Sequence, residues 1–180
     1  MAHDPAVDEL AALVGWHGTV DADEAVRDVE RTLGIGLPPD FHALVNRFPT
    51  GYFSSFVTVP SPVRLANGNS PFLWEAQDAL AVLREAADTA HPAYPAPGGL
   101  LPWASSTEGH VFFWRTGDGD PARWPTVFCD DELTGWGEYP GTASEFLRDV
   151  LTGRFTHEFF DPYLQGVEPD FEPEQQEGNA

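Results

Sequence analysis

The chain has no lysine, a single cysteine, and no apolar run near the roughly 18 residues that a membrane-spanning helix needs. Each absence removes a class of function. All nine basic residues are arginine, against 29 acids, for a formal charge of -20 over 180 residues. Such a chain is repelled by phosphate backbones, and no arginine cluster offsets the repulsion, so the sequence predicts no direct nucleic-acid binding. Cys129 alone makes neither an internal disulfide nor a CxxC redox or zinc pair, which fits a reducing compartment. The stretch Met1 to Leu10 lacks the basic segment and apolar core of a secretion signal, so the expected location is the cytoplasm, with no membrane contact.

What is present is aromatic and acidic. Hydrophobic residues make up 42% and aromatics 13%, enough to fold one buried core. Trp103, Phe112, Phe113, Trp114, Trp124, Phe128, Trp136 and Tyr139 crowd the segment 100–139, with Asp118, Asp120, Asp130, Asp131, Glu132 and Glu138 threaded between them. Aromatics alternating with acids predict antiparallel strands joined by negatively charged loops. A surface of that sign favours a basic partner.

Local signals predict the elements. Val7, Leu10, Ala11 and Val14 mark a helix over Ala6 to Val14. Asp21 and Glu24 form a capping-box pattern ahead of Ala22, Val26, Val29 and Leu33, with Gly34 as the stop. Pro38 and Pro39 suit a first helical turn, and Phe41, Leu44, Val45 and Phe48 make a stripe closed by Pro49. Two or three helices therefore precede the first strand, Tyr52 to Val59, which ends at Pro60. Ala76, Leu80, Leu83 and Ala87 predict a helix from about Pro71 to Ala87, followed by a loop marked by Pro92, Pro95 and Pro97. Val111 to Thr116 and Thr126 to Asp130 read as paired strands around a Gly/Asp/Pro turn, and Trp136 to Tyr139 adds a third. Thr142 and Glu145 repeat the capping box before Phe146, Leu147, Val150 and Leu151. The sum is an α+β domain over residues 1–157. From Glu158 onward seven acids, no arginine and three prolines predict a disordered tail, 158–180.

The order of these pieces resembles the SUKH superfamily, in its Smi/Knr-type branch. Three segments carry the likeness: Leu33-Gly34 with Leu37-Pro38-Pro39-Asp40-Phe41; Leu100-Leu101-Pro102-Trp103-Ala104 running through Gly109 into Val111-Phe112-Phe113-Trp114; and Val127-Phe128-Cys129-Asp130 with Trp136 and Ser144-Glu145-Phe146-Leu147. The likeness spans about Asp21 to Phe155 and is silent from Pro60 to Pro97. It implies about six antiparallel strands flanked by helices, the segment from Leu100 being a loop that leads into a strand, and no catalytic residues. Immunity members of the family sit in the cytosol and block a cognate toxin, frequently a nuclease; others act as regulatory scaffolds with several protein partners.

The chemical motifs are weak beside this. Cys129 and His110 fall on paired strands, where a thiol beside an imidazole is a potential nucleophile, yet a lone cysteine in an apolar strand usually packs. Counting a calcium loop from Asp118 puts Ala122, Arg123 and Cys129 at positions that need an oxygen ligand, Gly and Glu. No HExxH, GxSxG or GxGxxG pattern is present. The sequence therefore predicts a non-enzymatic protein with no cofactor, metal or small-molecule substrate. Core packing is the reading for Trp114 and Trp136 on one sheet face. Trp103 and Trp124, beside prolines, are the expected half-exposed anchors within the rim formed by Asp118, Asp120, Asp130, Asp131, Glu132 and Glu138.

Overall fold

In the computed structural model, residues 3–86, 91–117 and 119–174 are described. Three helices lead: α1 (Pro5–Leu13), α2 (Asp23–Leu33) and α3 (Pro39–Arg47). They are followed by β1 (Gly51–Phe53), β2 (Val57–Val59), α4 (Pro71–Glu85), β3 (Leu100–Ser106), β4 (Val111–Arg115), β5 (Thr126–Cys129), β6 (Trp136–Tyr139), α5 (Ala143–Thr152), α6 (Asp161–Leu164) and β7 (Phe171–Pro173). The strands form one antiparallel sheet ordered β6-β5-β4-β3-β2-β1-β7. The α+β class holds, with seven strands among the described residues where about six were expected.

Caps explain where the helices start. At α5 the box forms as read: Glu145 N–H donates to Thr142 Oγ1 at 3.3 Å, and Thr142 N–H donates to Glu145 Oε2 at 2.9 Å. At α2 it does not. The cap position is Ala22, whose N–H donates to Asn46 Oδ1 at 3.0 Å, so a side chain from α3 replaces the Asp21/Glu24 pair.

The expected single strand Tyr52 to Val59 is a hairpin. Ser54 and Ser55 both have positive φ (51° and 52°), and Phe56 N–H donates to Phe53 O at 3.0 Å, closing a type I′ turn. The turn lacks the Asn-Gly signal that usually announces it. The stretch from Leu100 is likewise corrected from loop to strand. Pro102 has no N–H to give the ladder, and the register with β4 shifts between Pro102 and Ala104, a bulge that lets β3 carry a proline.

Register assigns the two sheet faces. Phe112 opposes Phe128, while Phe113 opposes Val127 on the reverse side. The first pair joins Leu101, Trp103 and Trp114 in the main core, against Phe41 of α3 and Phe146 of α5. The second joins Leu100 and Cys129 in a smaller cluster. Helix α4 lies against β3, giving Phe72, Ala76 and Leu80 to the main core and Leu83 to the smaller one. Trp136 belongs with the smaller cluster and Trp114 with the main one, so they occupy opposite faces.

The disordered-tail reading fails over residues 158–174. Phe160 is 1% exposed and packs on Phe112, Phe128 and Phe146. Phe171 sits among Trp16, Phe48 and Phe53 at ring distances of 4.9, 4.9 and 4.7 Å, and its strand pairs with β1. Four aromatics, Phe159, Phe160, Tyr163 and Phe171, fall within these 17 residues and anchor a segment whose prolines and acids otherwise read as unstructured. The folded body thus runs past residue 157; residues 175–180 lie outside those described.

Candidate functional site

Helix α4 builds the site. Ser70 caps it, Pro71 occupies its first position, and Phe72, Ala76, Leu80 and Leu83 form the buried stripe. Trp74, Asp78 and Val82 follow one another at four-residue spacing on a different face. There Trp74 is 65% exposed and Val82 51%, the most exposed large apolar side chains among the described residues. Between α4 and the sheet runs a cavity of about 270 Å³. Its α4 wall is Trp74, Glu75, Asp78, Ala79 and Val82; its floor includes Pro102, Ser105, Val111 and Phe113; its far wall is Asp130, Asp131 and Leu133 from the β5–β6 loop.

Every charged residue lining this groove is a carboxylate: Glu75, Asp78, Asp130 and Asp131, with no arginine or histidine among the described lining. Glu75 is half-buried, and burial, with a lesser push from the charge of Glu174, raises its carboxyl to about 7. No hydrogen bond offsets that burial. Asp130 behaves differently. Partial desolvation pushes its carboxyl up, but the Thr134 N–H (2.8 Å), the Thr134 hydroxyl (2.9 Å) and the Gly135 N–H (2.8 Å) all donate to it and hold it below the usual range. Asp130 therefore shapes the loop, leaving Asp131 exposed beside the groove.

The residues predicted as a binding surface do not assemble as one. Successive hairpin turns alternate between the ends of a sheet, so Asp120, in the β4–β5 connection, lies at the opposite end from Asp130, Asp131 and Glu132, in the β5–β6 loop. Four-residue strands separate those ends by about 13 Å. Asp120 caps a short 3-10 turn, accepting from Ala122 N–H at 3.0 Å. Glu138 is paired with Arg115 at 2.7 Å, and Asp118 lies outside the described residues. Trp103 and Trp124, expected as half-exposed anchors, are 1% and 5% exposed. Trp103 stacks on Trp114 and meets Phe146 edge-on, which is core packing.

The missed residues are Trp74, Glu75, Asp78 and Val82. One signal for them exists: Trp74 and Val82 fall off the Phe72-Ala76-Leu80-Leu83 stripe, so a helix with one buried face leaves them outside. The segment's faint periodicity, and the silence of the resemblance there, hid it.

Cys129 and His110 do not meet. Cys129 opposes Val111, so the adjacent His110 points to the other face, where its ring packs on Phe159 at 5.3 Å. Burial pushes the Cys129 thiol up to about 12. The Ser106 hydroxyl accepts from the backbone N–H of Glu108 and of His110, and is hydrogen-bonded to His110 Nδ1 at 2.7 Å. That hydroxyl is consumed in holding the β3–β4 turn. Among the described residues no group of three or more His, Cys, Asp or Glu is placed to hold a metal ion. No described helix is long and apolar enough to cross a membrane. Set against protein-family models, curated proteins and solved structures, the chain matches none of them.

Proposed function

We propose that this protein is a cytoplasmic immunity protein that binds and neutralises a basic toxin domain, a nuclease, through the groove between α4 and the sheet. The observation that carries the reading is the groove itself: a solvent-facing indole above an apolar floor, ringed by carboxylates with no cation among its described lining. An apolar anchor inside a charged rim is the composition of an interface hot spot. The overall charge of -20 adds long-range attraction for a cationic domain and repulsion for nucleic acid, so the inhibitor meets the nuclease and not its substrate. The order of sequence segments resembling the SUKH superfamily supports the same role. The alternative is a regulatory scaffold of the Smi/Knr type binding several protein partners, with a working role for the acidic tail; loss of partner binding on deletion of the chain after His157 would favour it.

The test is to look beside this gene for a secreted protein with a basic C-terminal domain and to measure stopped-flow association with that domain; finding no such neighbour would count against the proposal. Raising salt from about 50 to about 500 mM should slow association at least tenfold, and Trp74→Ala should speed dissociation. A salt-independent association rate, or no protection of cells expressing that domain, would refute the proposal.

A further inference from the structure

We propose that the α4 groove recognises one arginine side chain of its partner, the guanidinium lying against the Trp74 indole and bonding to the Glu75 carboxylate. This deepens the reading of the chain as a binder of a basic protein and rests on it. Three features converge on that occupant. Trp74 is the most exposed large apolar residue described, it lines the cavity, and an indole face is the best aromatic surface for a cation. Glu75 is half-buried in the same cavity with no bond to its ionised form. A bound cation supplies the missing partner. Glu174, from the residue after β7, is the charge that acts on Glu75, and the other charged groups lining the cavity, Asp78 from its own helix and Asp130 and Asp131 from the β5–β6 loop, are acids as well.

Arginine fits better than lysine for two reasons. Its planar guanidinium stacks on a ring and offers a fork of donors to a carboxylate, and it is more weakly hydrated than an ammonium, so entering a partly apolar groove costs it less. The methylene stem then lies along Ala79 and Val82, which also line the groove. Ionised Glu75 is the form that binds, so binding below about pH 7 displaces a proton, and affinity should rise with pH until Glu75 is fully ionised.

The probe is a blocked Leu-Arg-Leu tripeptide, titrated into the full chain while the Trp74 indole N–H resonance, assigned with Trp74→Phe, is followed by NMR. Lysine and citrulline tripeptides serve as comparisons. The expected result is a saturable shift for the arginine peptide, roughly tenfold weaker binding of the lysine peptide, and no saturation with citrulline. Glu75→Gln should abolish the preference for arginine over citrulline, and a thermal melt shows that this variant is folded. Affinity should strengthen roughly tenfold between pH 6 and pH 8 in the parent and stay flat in Glu75→Gln. Equal shifts from arginine and citrulline, no shift at all, or an arginine preference that survives Glu75→Gln would overturn the inference. Neutralisation of a basic domain with an inert groove removes the arginine site and leaves the proposed function. Arginine-specific binding with no basic protein neutralised does the reverse.

Discussion

Replacing Phe171 by alanine separates a docked C-terminal strand from a disordered tail. Phe171 is half-buried and contacts three rings, Trp16, Phe48 and Phe53, all within 5 Å centroid to centroid. Removing a fully buried phenyl costs about 3–5 kcal/mol, and a half-buried one about half of that. Losing the favourable edge-to-face contacts places the total near 2–3 kcal/mol. With a urea slope of about 2 kcal/mol/M, the midpoint should fall by about 1–1.5 M. Hydrogen exchange supplies an independent readout, since Ser54 N–H donates to Asp170 O at 3.0 Å and Glu174 N–H to Thr50 O at 2.9 Å. Both amides should exchange faster in Phe171→Ala, whereas Glu172→Ala, an exposed change on the same strand, should shift stability by less than about 0.5 kcal/mol. A Phe171→Ala midpoint indistinguishable from the parent would mean that residues 171–173 do not pair with β1, and the reasoning would fail.

Glu75→Gln should stabilise the protein at pH 8 by about 1–2 kcal/mol, after discounting for partial solvent screening, and have no effect at pH 4. The sign follows from the raised carboxyl: between about 4.5 and about 7 the folded state binds more protons than the unfolded, so the parent loses stability as pH rises through that window. Thermal melts across pH check it, and a parent profile flat over that window would count against it. Cys129, fully buried and with its thiol pushed up to about 12, should react with a disulfide reagent at pH 8 only as fast as the protein unfolds. Rapid labelling of the native chain would contradict this. Asp130→Ala removes three accepted hydrogen bonds and should cost about 1–2 kcal/mol in a urea titration, while Asp131→Ala leaves stability unchanged and slows partner association. Equal stability losses for the two would show that Asp130 does not hold the loop.

Most of the described residues named from the sequence as a binding surface are not among those that line the proposed groove. An aromatic anchor in an acidic rim describes the groove, yet the aromatics named from their proline neighbours, Trp103 and Trp124, are buried, and the exposed one is Trp74. A tryptophan's exposure depends on what distant segments cover it, and Trp103 is covered by Phe146, 43 positions away along the chain. The predicted six-acid cluster failed for a similar reason. Nearness in sequence across a hairpin says nothing about which end of the sheet a turn occupies.

Whatever depends on neighbours within about four residues could be read directly: the apolar stripes of α1, α3 and α5, the Thr142/Glu145 cap, the Gly34 stop and the strands β4 to β6. These follow from backbone sterics and one-turn side-chain spacing, which the local string contains in full. The Ser54-Ser55 hairpin, the Asn46 cap on α2, the pairing of β7 with β1 and the exposure of Trp74 were settled only by tertiary structure. The hairpin is local, but its two serines do not announce a turn with positive φ; each of the others is a contact, or the lack of one, between segments tens to more than a hundred residues apart, and local spacing carries no information about which distant surfaces meet.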